Sequence, residues 1–153
     1  MTATVQIHEM TTTDTGVDKT SGTVRFKSAN NTNVDTNDRL QIPSGADIFS
    51  YTKQLCFYFS VGPAVDVQNL RAYTDGANGF GTGIVVDYDV SASYTTATDT
   101  DIAGTDLFTA TVDASIDMDA IDTGPHTGTG YKGDYLRLQM GVSNTASPGS
   151  LSA

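Results

Sequence analysis

The chain has 153 residues, a net charge of −10 and an isoelectric point near 4.2. That length suits one domain burying roughly 70% of its unfolded surface, and the charge argues against partners tracked through phosphates, because nucleic-acid and anionic-membrane binding both need clustered Lys and Arg and the eight basic residues are scattered. Its seventeen aspartates, single glutamate (Glu9) and 24 threonines exclude a mainly helical fold, since Asp and Thr disfavour helix interiors while Thr suits strands and Asp suits turns.

Short windows of period-two alternation, separated by turn residues, predict about eight strands. Residues 4–10 place Val5 and Ile7 on one face, and residues 22–28 place Val24 and Phe26 inward with Arg25 and Lys27 outward. Residues 39–42 form a short third window ended by Pro43. The longest, residues 51–61, sets Lys53, Leu55, Phe57, Phe59 and Val61 against Gln54, Cys56, Tyr58 and Ser60, and its apolar residues on both faces predict a central strand. Residues 67–73, 82–90, 107–112 and 135–142 complete the set, and residues 113–122 read as a strand end followed by a turn.

The connections differ in kind. Residues 74–83 carry four glycines in ten residues and read as a compact loop; no lysine or helix follows to make a phosphate cradle. Residues 11–21 and 91–106 are long, polar loops of the sort that serve function or remain mobile. Eight antiparallel strands must close into two packed layers to hide their apolar faces and edges, so the expected fold is an all-β, antiparallel, jelly-roll-like sandwich. It would form a single domain over residues 1–153, with extended or flexible segments at about 1–21 and 143–153 that could serve as arms.

Candidate chemistry is sparse. Cys56, inside Leu55-Cys56-Phe57-Tyr58-Phe59, reads as a small buried hydrophobe, and one cysteine cannot build a disulfide framework. Asp99, Asp101 and Asp106, then Asp113, Asp117, Asp119 and Asp122, lack the glycine placement and closing glutamate of a helix-loop-helix calcium site and read as solvated charge. Paired carboxylates for glycoside hydrolysis usually work between aromatic walls, and there is no tryptophan. His8 and His126 have no adjacent nucleophile and read as surface or satisfied structural side chains. Asn30-Asn31-Thr32 reads as a turn. The expectation is therefore no catalytic residue, no cofactor, no metal and no enzyme activity. The first ten residues lack a basic stretch before an apolar core, and no apolar run approaches ~20 residues, so synthesis in a cytoplasm without export and no membrane insertion are expected.

Several short motifs together carry a resemblance. They are Val24-Arg25-Phe26-Lys27-Ser28, Leu40-Gln41-Ile42-Pro43, Ser50-Tyr51-Thr52-Lys53 entering an aromatic strand, Gln68-Asn69-Leu70-Arg71-Ala72-Tyr73-Thr74-Asp75-Gly76, Gly79-Phe80-Gly81-Thr82-Gly83, Tyr135-Leu136-Arg137-Leu138-Gln139 and Thr145-Ala146-Ser147-Pro148-Gly149. The chain resembles, over about half its length, small β-rich structural proteins of tailed bacteriophages. The resemblance implies a virion protein, in particular a capsid decoration (cement) protein on the outside of the head, often a trimer, whose partner is the major capsid protein. A tail, baseplate or fibre-associated β-domain is the alternative within the virion. A carbohydrate-binding or calcium-dependent adhesion module using residues 91–106 is the alternative outside it.

Overall fold

A computed structural model of the chain describes residues 2–147. The chain is all-β; the described residues form nine strands in two sheets, every one of them pairing antiparallel. They are β1 (Thr4–Thr12), β2 (Thr15–Asp18), β3 (Ile48–Phe49), β4 (Lys53–Val61), β5 (Arg71–Ala72), β6 (Ile84–Ser91), β7 (Thr105–Asp106), β8 (Ile116–Asp117) and β9 (Gly130–Val142). The large sheet runs β2-β1-β4-β9-β6-β7, with β3 also on β9, while β5 and β8 pair separately. The large sheet and the small one form a β-sandwich whose second layer is much narrower than its first.

The apolar alternation of residues 51–61 does put a strand at the centre, since β4 lies between β1 and β9. Its Leu55 and Phe57 share a face with Leu136 and Leu138 of β9 and with Tyr88 and Val90 of β6; Ile116, Met118, Ala110, Leu70 and Ala72 pack on that face from the small sheet and its flanking turns. The opposite face carries Met10, Cys56 and Tyr135, with Tyr94 and Tyr131 against them. The small sheet can approach because Gly133 interrupts β9 at φ +72°, and a Cβ there would lie 2.5 Å from the Met118 carbonyl. Asp134 N donates to that carbonyl at 2.6 Å, so the narrow layer is tied directly to the middle of the wide one.

Several expectations change. Residues 22–28 and 39–42 are not strands but meet in one isolated bridge, Lys27 to Arg39, and Lys27 points inward, buried against Asp35 at 2.6 Å. Residues 107–112 are not a strand: Leu107–Thr109 and Val112–Ala114 are 3-10 turns, the first started by Asp106, whose Oδ1 accepts from Phe108 N at 3.0 Å. Asx capping outcompetes the β-propensity of so short an apolar run. Residues 4–10 lie on a strand, as their alternation predicts, and β1 with β2 forms a hairpin paired into the large sheet, so residues 4–18 of the segment also read as a possible arm do not extend away from it. The expected C-terminal arm is described only as far as Ser147, whose N–H bonds Thr82 O at 3.3 Å; its remainder, with Leu151, lies outside the described residues.

The long polar segment after β6 is also no free loop. It lies against the large sheet, held by buried side-chain amides. Gln54 accepts from Thr95 N at 2.9 Å and donates to Thr95 O. Gln139 accepts from Ile102 N at 2.9 Å and donates to Thr100 O at 3.1 Å and Ser50 O at 2.8 Å. Each amide therefore stands in for the edge of a strand.

Candidate functional site

Three of the four lysines are buried, which is unusual for a residue that normally keeps its ammonium in water. Pairing of β1 with β4 stops at Glu9 and Leu55, beyond which the strands part. A polar cavity of about 270 Å³ opens there, lined by Glu9, Asn31, Thr32, Lys53, Gln54 and Tyr94 among others. Glu9 is 2% exposed and meets Lys53 Nζ at 3.0 Å and Lys19 Nζ at 3.4 Å. Lys53 also donates to Asn31 O, Lys19 to Thr32 O at 3.0 Å and Lys27 to Asn31 Oδ1 at 3.2 Å. Chemically this arrangement has no spare base or nucleophile. It clamps residues 31–35 onto the sheet, and the cost of burying each charge is offset by an opposite charge or a carbonyl.

The two histidines take different structural places. His8 stacks on Tyr58 with centroids 4.5 Å apart, and its Nδ1 lies 3.2 Å from the Tyr131 hydroxyl. Burial pushes the Tyr131 phenol above the usual tyrosine range, so the hydroxyl remains a neutral partner. His126 Nε2 lies 2.8 Å from Asp119 Oδ1, while Asp119 Oδ2 accepts from Leu70 N at 2.9 Å. Asp134, fully buried, accepts from Ile121 N and Asp122 N at 2.9 and 2.7 Å. Here buried side chains organise the turn between β8 and β9; they do not converge on a substrate-sized space.

The aspartates singled out in the sequence are dispersed by the fold. Asp106 caps a turn, Asp117 pairs with Arg71 at 3.2 Å, Asp119 binds His126, and Asp101 Oδ1 accepts from Ala103 N at 2.8 Å. Among the described residues no three acidic, histidine or cysteine side chains assemble as a metal-binding group. Cys56 is buried, as its neighbours suggested, and burial pushes its thiol up to about 11.

One feature escaped sequence reasoning. Between the layers lies an apolar cavity of about 230 Å³, bounded by Ile7, Leu55 and Phe57 of the large sheet and by Ala72, Tyr73 and Thr74 at β5. The narrow layer does not extend over β1 and β2, so Val5, Ile7 and Val17 remain 42, 39 and 41% exposed. The registers Val5 to Phe59, Ile7 to Phe57 and Glu9 to Val17 put these three on one face, beside the cavity mouth. Alternation did reveal an apolar face; which part of it would lack a cover depends on the partner layer. No helix among the described residues is long and apolar enough to cross a membrane. No family model, curated protein or solved structure matches the chain.

Proposed function

We propose that the chain is a non-enzymatic virion structural protein, a capsid decoration (cement) protein that binds the outside of a phage head and stabilises contacts between major capsid subunits. The observation that carries this reading is the incomplete sandwich: an apolar strip of Val5, Ile7 and Val17 runs into an apolar cavity. Contiguous exposed apolar surface on an otherwise polar protein marks a docking site. A sugar site would need converging polar groups, whereas this cavity is walled almost wholly by aliphatic and aromatic carbon. The buried lysine clamp and the amide-held segment suit a rigid body that works by contact.

Three-fold positions on a shell favour trimers with heterologous, ring-closing interfaces, so a homotrimer is the proposed assembly on the capsid. The acidic surface would keep the particle away from polyanions. Cryo-electron microscopy of the particle containing this chain tests the reading. Many copies spread over the head lattice are the expected result; density confined to the tail would transfer the function to tail assembly or attachment, and absence from the particle would refute it.

A further inference from the structure

The free edge of β5 and the apolar cavity beside it form one feature. Leu70 O accepts from Met118 N at 2.9 Å and Leu70 N donates to Asp119 Oδ2 at 2.9 Å, while Ala72 pairs with Ile116. In an antiparallel ladder such bonds fall on alternate residues. Leu70 and Ala72 therefore turn their backbone groups toward β8, and Arg71 and Tyr73 turn theirs away from it. The small sheet ends at β5, so among the described residues nothing pairs with that second edge. The same stretch lines the cavity whose other wall is Ile7 and Phe57.

We propose that this edge accepts an extended segment of the capsid partner as an added strand, with alternate apolar side chains of that segment entering the cavity and covering Ile7. The inference rests on the decoration reading and names what the partner contributes. Main-chain bonds to Arg71 and Tyr73 would supply affinity, and the cavity would select the side chains, which is how strand addition divides the two tasks. The space suffices: an apolar cavity of about 150 Å³ already admits benzene, and this one measures about 230 Å³. An added strand would also extend the narrow layer toward the part of the wide one that lacks a cover.

Charge complementarity selects a basic segment. Lys19, Lys27 and Lys53 are buried and engaged, and Arg71 and Arg137 are paired with Asp117 and Asp89. Arg25, Arg39 and Lys132 are the remaining cations against eighteen acidic residues, so the chain as a whole, at a net charge of −10, attracts a basic segment. A second copy offers this edge no basic strand, because most of its own cations are buried or paired, so contacts between copies in the trimer fall on other surfaces.

The test titrates the purified protein, up to millimolar concentration, with a synthetic peptide of alternating valine and threonine flanked by lysines, following backbone amides by NMR. Expected are shifts centred on Arg71, Tyr73, Ile7 and Phe57, and about tenfold or greater weakening when the peptide's alternate amides are N-methylated, the effect of losing a net hydrogen bond or two. Ile7→Lys, a change at a partly exposed position, should abolish binding while leaving the rest of the spectrum in place. No shifts, or equal binding of the methylated peptide, would overturn strand addition. So would a concentration-dependent dimer abolished by Ile7→Lys, which would give the groove to a second copy. Particle binding separates the two levels: Ile7→Lys protein that still decorates heads refutes this inference alone, whereas wild-type protein that binds no particle refutes the function it rests on.

Discussion

Replacing Glu9 with Gln should be among the most damaging isosteric changes in this fold. Glu9 supplies the carboxylate for two buried ammonium groups, at 3.0 Å from Lys53 and 3.4 Å from Lys19. Coulomb's law with an effective dielectric of about 20 gives roughly 5 kcal/mol per contact at these distances, before desolvation is subtracted. Gln preserves shape but removes the charge, leaving Lys53 and Lys19 with only Asn31 O and Thr32 O. Stranding buried charge in this way costs about 3–5 kcal/mol, a large share of a typical total stability. With a urea m-value of about 2 kcal/mol/M, the unfolding midpoint should fall by roughly 2 M. The triple replacement Glu9→Leu, Lys19→Met, Lys53→Met removes the desolvation cost with the charges and should return to within ~1 kcal/mol of the parent. A Glu9→Gln midpoint within ~0.5 M of the parent would refute the reasoning, because the cluster would then behave as a solvated surface pair.

Three further outcomes are expected. Gly133→Ala meets both a left-handed φ and a backbone oxygen 2.5 Å from the new Cβ, and should lower the melting temperature by roughly 5–15 °C; a change under ~2 °C would mean that the two layers slide freely there. Cys56, with its thiol raised to about 11 by burial, should resist a disulfide-exchange reagent at pH 8 in the native protein and react at once in denaturant; rapid native labelling would contradict its burial. Asp87 stands opposite Asp106 across the β6–β7 ladder, and burial followed by the charges of Asp101 and Asp106 holds its folded pKa above the unfolded value. Its ionisation therefore opposes folding above the folded pKa, and that penalty disappears as pH falls toward the unfolded value of ~3.9. Asp87→Asn should raise the melting temperature by a degree or two at pH 7 and by nothing near pH 3.5; destabilisation at pH 7 would show that the charge has an unseen partner.

The wide sheet was legible in the sequence because period two survives wherever a strand is long: residues 51–61, 82–90 and 135–142 all lie on strands of that sheet or their immediate flanks. The narrow layer was not. Two-residue strands such as β5 and β8 are too short to alternate, and their position is set by Asp119, Asp134 and Gly133 acting across the chain. Lys27 read as an outward residue by alternation, yet Asp35, eight positions later, draws it inward. Similarly, Asp119 was counted as surface charge, yet its side chain is largely buried against His126 and Leu70 N; Asp134, which no pattern singled out, is buried where two backbone N–H groups need an acceptor. Composition cannot tell a solvated carboxylate from one that satisfies a turn. The exposed strip was half legible: Val5 and Ile7 announced an apolar face, and only the narrowness of the second layer left it open.

The manner in which Gln54 and Gln139 hold the segment after β6 has a consequence for what the molecule can present outward. Both amides grip main-chain groups of Thr95, Thr98, Thr100 and Ile102, atoms that every residue type supplies alike. The path of that segment is thus largely uncoupled from the identity of its outward side chains. Substitutions at Ser93, Thr96 or Asp99 could recolour this flank, in charge, polarity or antigenic character, while the scaffold beneath kept its shape.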